Sequence, residues 1–237
     1  MIYIFLAAGK GTRLHPLTLQ HPKSLYKLDN HTSVLQRMVK LIKKHDAQAT
    51  MVIVTGFMAN ILNDEIKDVI FVHNPFYAIT NSIASLWFAR EFLSRGEQVT
   101  IINGDIVMEE RLIQTVICQA SNRPLVLVDS SVKVDGDYNI QVNNDQVLVM
   151  SKELDSYYGE YAGVTKLDPA SANELKQEIE VMVGLGMHDQ WYENALVQMI
   201  FQRNFLLYYQ DISDFAWTEV DSVSDLLLAK KIHQNDG

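Results

Sequence analysis

Short apolar runs rich in β-branched residues alternate with segments of helical spacing along the first half of the chain. The runs predict strands at Ile2–Leu6, Thr50–Val54, Val69–Val72, Val99–Ile102 and Leu125–Val128. Between them, apolar residues three and four positions apart predict helices, one of which begins near Val34 and another near Leu112. Strands that are apolar on both faces and separated by helices are typical of a mainly parallel sheet with helices on each side.

The second half of the chain is less regular. A turn-rich segment at Asn143–Asp145 between two β-like runs predicts a hairpin, and further strand and helix patterns follow. These predicted elements are the strands Tyr138–Val142, Gln146–Met150 and Tyr161–Leu167, a helix from Tyr192 to Ile200 and a closing helix from Val223. No Pro- or Gly-rich linker divides the chain. We therefore expect one α/β domain over residues 1–237, with a mostly parallel mixed sheet and a second half that folds back as a lid or subdomain.

Charge, cysteine content and the length of apolar runs exclude several classes of partner, cross-link and membrane span. The 237 residues include 20 Lys and Arg against 29 Asp and Glu, for a formal net charge of -9, which argues against a nucleic-acid partner or an anionic membrane. Cys118 is the only cysteine, so the chain forms no internal disulfide and no cysteine metal cluster. No apolar run is long enough to cross a bilayer. We expect a cytoplasmic protein, and the sequence leaves its oligomeric state open.

The segment after the first strand is locally basic in this acidic chain. It holds Gly9, Gly11, Arg13 and Lys23, and the first acid is Asp29. A glycine-rich turn after a strand lets backbone N–H groups approach phosphate oxygens, although many such turns serve only to reverse the chain. Either cation alone would more often be a solvated surface charge, but both together suit a small anionic ligand.

Two acidic residues follow predicted elements at positions that suit a divalent cation. Asp105 comes just after the strand Val99–Ile102, and Asp221 comes just before the last helix. Mg²⁺ takes one or two carboxylates together with phosphate oxygens. Each aspartate could instead cap the helix that follows it, so the residues alone leave both roles open.

The opening segment L-A-A-G-K-G-T-R-L-H-P-L-T, followed by P-K-S-L, resembles the signature of the sugar-nucleotide-type nucleotidyltransferases. These enzymes join a nucleoside triphosphate to a phosphorylated acceptor. The resemblance implies that Arg13 contacts the β- and γ-phosphates and that Lys23 bridges the α-phosphate and the incoming phosphate. It also implies a Mg²⁺ cofactor held by Asp105 and Asp221, with Glu219 as a weaker neighbour. The implied nucleotide-binding residues around the loop are Leu6, Ala7, Ala8, Gly9, Gly11, Thr12 and Gly104.

Later blocks resemble the small cytidylyltransferases, which include choline-phosphate and 2-aminoethylphosphonate enzymes. The blocks are N-P-F-Y, T-N-S-I, S-K-E-L, G-E-Y-A-G-V and W-Y-E-N-A-L, so the similarity spans nearly the full chain. It implies that Asn81, Ser82 and Ser85 contact the base or ribose, with helix capping as the alternative for the first two. It also implies that Lys152 contacts the acceptor phosphate, with an exposed surface lysine next to Glu153 as the alternative.

The acceptor side carries aromatic and acidic residues that suit a positively charged head group. The candidates for contact with the head group are Glu160, Trp191 and Glu193, whereas Tyr192 lies on the apolar stripe of its helix and is predicted to be core. The pattern around Tyr138 departs from that of the choline enzymes, so choline itself stays open.

These features predict Mg²⁺-dependent transfer of a cytidylyl group from CTP to a small phosphorylated or phosphonate acceptor, with release of pyrophosphate. Residues up to about 130 would bind the nucleotide, and residues from about 131 to 237 would bind the acceptor. Two alternatives are a sugar-1-phosphate nucleotidyltransferase, which needs side chains that bind hydroxyl groups, and an inactive domain that senses nucleotide.

Overall fold

The computed structural model describes residues 1–11, 21–131 and 138–236. The strands are β1 (Ile2–Ala7), β2 (Thr50–Thr55), β3 (Ile70–His73), β4 (Val99–Asn103), β5 (Ile106–Met108), β6 (Leu125–Asp129), β7 (Asn139–Asn143), β8 (Gln146–Ser151), β9 (Gly159–Leu167), β10 (Tyr208–Asp211) and β11 (Trp217–Glu219). The helices are α1 (Val34–His45), α2 (Ala59–Glu65), α3 (Ser82–Phe88), α4 (Glu110–Leu112), α5 (Pro169–Gly184), α6 (Glu193–Arg203) and α7 (Val223–Asn235). Every predicted strand is present, with its ends within two residues of the prediction.

Within the described residues, the main sheet has nine strands in the order β3-β2-β1-β4-β9-β6-β10-β8-β7. Strands β1 to β4 are mutually parallel, and β9 runs antiparallel to both of its neighbours, β4 and β6. Because β7 also pairs with β9, the strands β9, β6, β10, β8 and β7 close a ring of pairings. The prediction of an α/β fold with a mixed sheet is confirmed, and among the described strands the parallel pairings are those of β1 to β4 and of β6 with β10.

Both faces of the sheet are covered by helices, as the doubly apolar strands predict. Along β1, Ile2 and Ile4 pack with α3, α5 and α6, while Tyr3 and Phe5 pack with α1, α2 and α4 on the opposite face. All four side chains are fully buried. None of the helices in the described ranges is long and apolar enough to cross a membrane.

The pairing of β1 with β4 determines where loops leave the sheet. The two strands are parallel, with Leu6 opposite Asn103, so the segments that follow them emerge at the same edge. The Gly104 N–H donates to the carbonyl of Leu6 at 2.9 Å. Ligands of parallel α/β sheets bind beyond the carboxyl ends of the strands, which is the edge formed here.

A second, smaller sheet brings the C-terminal part of the chain to this edge. Strand β11 pairs antiparallel with β5, and Glu219 lies opposite Ile106. The Val220 N–H donates to the carbonyl of Asp105 at 3.0 Å. This pairing places Asp105 and Asp221 side by side, although they are distant in the sequence.

Candidate active site

A cleft of about 320 Å³ opens at the carboxyl edge of β1 and β4. Its walls come from the loops after these strands, the start of α3 and the start of α6, so both halves of the chain contribute. The predicted site residues that line it are Leu6, Ala7, Ala8, Gly9, Gly11, Lys23, Asn81, Ser82, Ser85, Gly104, Asp105, Trp191, Glu193 and the predicted neighbour Glu219. Thr12 and Arg13 lie outside the described residues.

The loop after β4 packs closely against the end of β1, and this packing requires glycine at position 104. A Cβ at Gly104 would lie 2.7 Å from the Ala7 Cβ and 2.8 Å from the carbonyl oxygen of Leu6, closer than such atoms approach. The two loops can therefore touch only without a side chain at this position. Gly11 has a φ of 60°, in the left-handed region that glycine adopts without strain.

Lys23 joins the two predicted metal ligands. Its Nζ lies 2.6 Å from Asp105 Oδ2 and also donates a hydrogen bond to Asp221 Oδ1. Burial of Lys23 disfavours its charge, but attraction and hydrogen bonds from the two carboxylates outweigh that cost and hold its pKa above the ordinary value. Two carboxylates and one ammonium thus form a single charge cluster, of which Lys23 and Asp105 line the cleft and Asp221 contacts Lys23 from outside the lining.

The donor set of this cluster fits a hard divalent cation. Asp105 Oδ1 is buried and has no hydrogen-bond partner within the described ranges, so this carboxylate oxygen can serve as a metal ligand. Among the residues that the structure describes, no group of three or more His, Cys, Asp or Glu side chains is placed to hold a metal. Two carboxylates with substrate phosphate oxygens completing the shell is the arrangement that Mg²⁺ prefers.

Hydrogen bonds fix the start of α3 to the preceding residue, to the start of α6 and to Asn74. Asn81 Oδ1 accepts from the Ser82 N–H at 2.8 Å, so the predicted capping role is present. Ser82 Oγ accepts from the Tyr192 N–H at 2.9 Å, which ties α3 to the start of α6. Buried Asn74 donates through Nδ2 to Ser85 Oγ at 3.1 Å, and this bond orients a side chain that lines the cleft.

The far end of the cleft is aromatic and acidic. Trp191 is 39% exposed, and its ring meets the ring of Tyr138 edge-on with centroids 6.4 Å apart. Lys152 Nζ lies 4.2 Å from the centroid of the Trp191 ring. Tyr192 is fully buried and its hydroxyl bonds to Tyr161, which confirms its prediction as core.

Glu193 is a buried carboxyl that faces this end of the cleft. Its side chain is among the most buried acids of the described chain, and Oε2 has no hydrogen-bond partner. Burial raises the pKa of Glu193 to about 7, against weaker lowering by a hydrogen bond with its own backbone and by attraction from Lys152. A cationic hydrogen-bond donor stabilises a buried carboxyl of this kind, because the donor supplies both a hydrogen-bond partner and an opposite charge.

Two predicted acceptor residues do not line the cleft. The ammonium of Lys152 rests on Trp191, and Glu160 lies on β9 beside Asn139 of β7. Residues that sequence reasoning did not assign also line the cleft: Ser24, Tyr77, Thr80 and Asn103. Ser24, Tyr77 and Thr80 lie within segments that carry the family resemblance, and Asn103 directly precedes Gly104. Only the folded chain shows that these side chains reach the cleft.

Comparison with known proteins agrees with this geometry. Residues 2–132 match the family model described as nucleotidyl transferase. The chain belongs to this family. Its curated relatives include choline-phosphate cytidylyltransferase of Streptococcus pneumoniae, 24% identical over 98% of both chains. CTP:phosphoglutamine cytidylyltransferase of Campylobacter jejuni is 22% identical over 94% of this chain and 96% of the relative.

Two further matches are a curated relative that covers part of the chain and a solved structure. A 2-aminoethylphosphonate cytidylyltransferase of Lancefieldella rimae is 29% identical over 46% of this chain and 45% of the relative. A solved structure of CTP:phosphocholine cytidylyltransferase from Streptococcus pneumoniae superposes with a TM-score of 0.78 at 23% identity, covering 98% of this chain and 99% of the other, which shows a common fold. The predicted family, fold class and transferase activity are confirmed.

Proposed function

We propose that this nucleotidyltransferase moves the cytidylyl group of CTP to a small acceptor bearing a phosphate or phosphonate, and that pyrophosphate is released. The observation that carries the proposal is the cluster of Lys23, Asp105 and Asp221 beside the glycine-containing loop after β1. The names of the curated relatives, all cytidylyltransferases, support CTP over other triphosphates.

The reaction needs charge control more than proton transfer. A phosphate or phosphonate oxygen is ionised near neutral pH, so it attacks the α-phosphorus of CTP without a general base. Catalysis then consists of in-line positioning and neutralisation of the negative charge that gathers around that phosphorus. A buried ammonium such as that of Lys23 suits this task.

On the nucleotide side, the backbone of the loop from Ala7 to Gly11 would cradle the triphosphate, with Leu6 and Gly104 beneath it. Thr12 and Arg13 would extend this binding surface, Arg13 toward the β- and γ-phosphates. The proposed contacts to the base and ribose come from the start of α3, namely Asn81, Ser82 and Ser85.

Asp105 and Asp221 would hold Mg²⁺, which when bound would offset charge on the α-phosphate. Their carboxylates already converge on one cation, the ammonium of Lys23. Lys23 lines the cleft as well, so its ammonium can contact a phosphate there. On the acceptor side, the proposed binding residues are Lys152, Glu160, Trp191 and Glu193.

The direct test is pyrophosphate release by the purified protein with each of the four nucleoside triphosphates and a panel of acceptors. The panel contains phosphocholine, 2-aminoethylphosphonate, a phosphorylated amino-acid amide and a hexose 1-phosphate. Release that requires CTP and a non-sugar acceptor supports the proposal. Preference for the hexose 1-phosphate would favour the sugar-nucleotide alternative, and nucleotide binding without release would favour the sensing domain.

Variants test the proposed residues. Lys23→Ala or Asp105→Ala should reduce turnover roughly a hundredfold or more, as loss of one preorganised charge contact does in other enzymes, while circular dichroism shows an intact fold. Lys40→Ala is the matched control, because Lys40 is exposed on α1, away from the cleft. Near-normal turnover in either site variant would contradict the assignment.

A further inference from the structure

The face of Trp191 already carries a cation. Lys152 Nζ lies 4.2 Å from the ring centroid, within the range of a cation–π contact. The edge-on contact with Tyr138 fixes the orientation of the indole. A quaternary ammonium group binds proteins chiefly through aromatic faces of this kind. On Trp191, such a group would have to displace Lys152 or meet its positive charge.

Glu193 offers a different kind of contact at the same end of the cleft. It lines the cleft two residues after Trp191 in the sequence, and its buried Oε2 has no hydrogen-bond partner among the residues that the structure describes. A buried acceptor atom without a partner is costly, so a ligand that donates an N–H to it gains affinity. A primary ammonium donates three N–H groups, whereas a trimethylammonium group has none.

We propose that Lys152 and Glu193 select an acceptor whose head group is a protonated primary amine and disfavour one that ends in a quaternary ammonium. Lys152 determines specificity by placing its positive charge against one face of Trp191, whose side chain lines the cleft, and Glu193 does so by accepting a hydrogen bond from the amine. Lys152 also attracts the Glu193 carboxylate electrostatically, so the two side chains act within one environment. This inference rests on the proposed cytidylyl transfer and names the acceptor class for the same site.

Phosphoethanolamine and phosphocholine form the matched pair for the test, since they differ only in three N-methyl groups. With CTP, the wild-type protein should show a kcat/KM for phosphoethanolamine that is about tenfold or more above that for phosphocholine, because a site built around an N–H donor rejects an analogue that lacks it. Lys152→Met uncovers the indole and should shift this ratio at least about fivefold toward phosphocholine. Lys152→Gln, which keeps polarity but removes the charge, should shift the ratio in the same direction.

Lys40→Met is the control, because it removes an exposed lysine charge from α1 and should leave the ratio unchanged. Equal use of the two acceptors by the wild type, a preference for phosphocholine, or an unchanged ratio in both Lys152 variants would overturn the inference.

Binding gives an independent readout that needs no turnover. Isothermal calorimetry with the protein saturated by the α,β-methylene analogue of CTP should show tighter binding of phosphoethanolamine than of phosphocholine. Equal affinities, or binding of neither compound, would overturn the inference. If phosphoethanolamine binds preferentially but CTP yields no pyrophosphate with either compound, then the proposed function fails while the head-group selectivity stands.

Discussion

Burial of Glu193 should make the unfolding free energy depend on pH in a way that one substitution removes. Burial raises its pKa from the ordinary value of 4.5 to about 7, so the folded protein binds this proton more tightly than the unfolded chain does. The stabilising contribution of the proton is complete below about pH 4.5, declines as pH rises, and is lost above about pH 7. At about 1.36 kcal/mol per pKa unit, the full effect is about 3 kcal/mol.

Glu193→Gln removes the titrating group and keeps the shape of the side chain. Between about pH 5 and pH 8, we expect the wild type to lose about 2 to 3 kcal/mol of unfolding free energy relative to this variant. Urea denaturation of both proteins at matched pH values measures the difference. Glu153→Gln is the control, because it makes the same substitution at an exposed position outside the cleft. If the wild type and Glu193→Gln change in parallel across this range, Glu193 does not carry the burial cost assigned to it.

Two further substitutions test the walls of the cleft. Gly104→Ala puts a methyl group 2.7 Å from the Ala7 Cβ, so we expect a loss of about 1 to 3 kcal/mol in urea unfolding and weaker CTP binding by calorimetry. Wild-type values for both would show that the two loops are not packed as described. Asn74→Ala removes the donor to Ser85 and should cost about 1 to 3 kcal/mol while raising the KM for CTP. An unchanged KM in this variant would mean that Ser85 needs no such support.

Much of the fold was predictable because the central strands are apolar on both faces. The runs that became β1, β2 and β4 stand out for this reason, whereas β5 and β11 have three residues each and form a sheet only by pairing with each other. Helix α5 carried a local signal that the prediction did not use. Asp168 caps it by accepting from Ala170 N–H and Ser171 N–H, and Pro169 opens its first turn.

The candidate site was predictable as a set of residue types but not as a set of contacts. Family resemblance pointed to Asp105 and Asp221, yet their approach depends on the pairing of β11 with β5. The contact of Lys152 with the acceptor phosphate stays a prediction, and nothing in the sequence indicates that its ammonium lies over the Trp191 ring. Side-chain direction of this kind depends on how β8 and α6 pack, which spacing along the chain does not encode.

Strand β9 has a consequence for how the chain can be divided. It comes from the second half of the sequence but lies between β4 and β6, which both come from the first. A fragment that stopped near residue 130 would expose hydrogen-bonding edges on both of these strands in the middle of the sheet. The stretch matched by the family model therefore lacks the strand that pairs with both β4 and β6. A truncation or fusion at that boundary would remove this strand from the middle of the sheet and would not yield a domain with all of its strands paired.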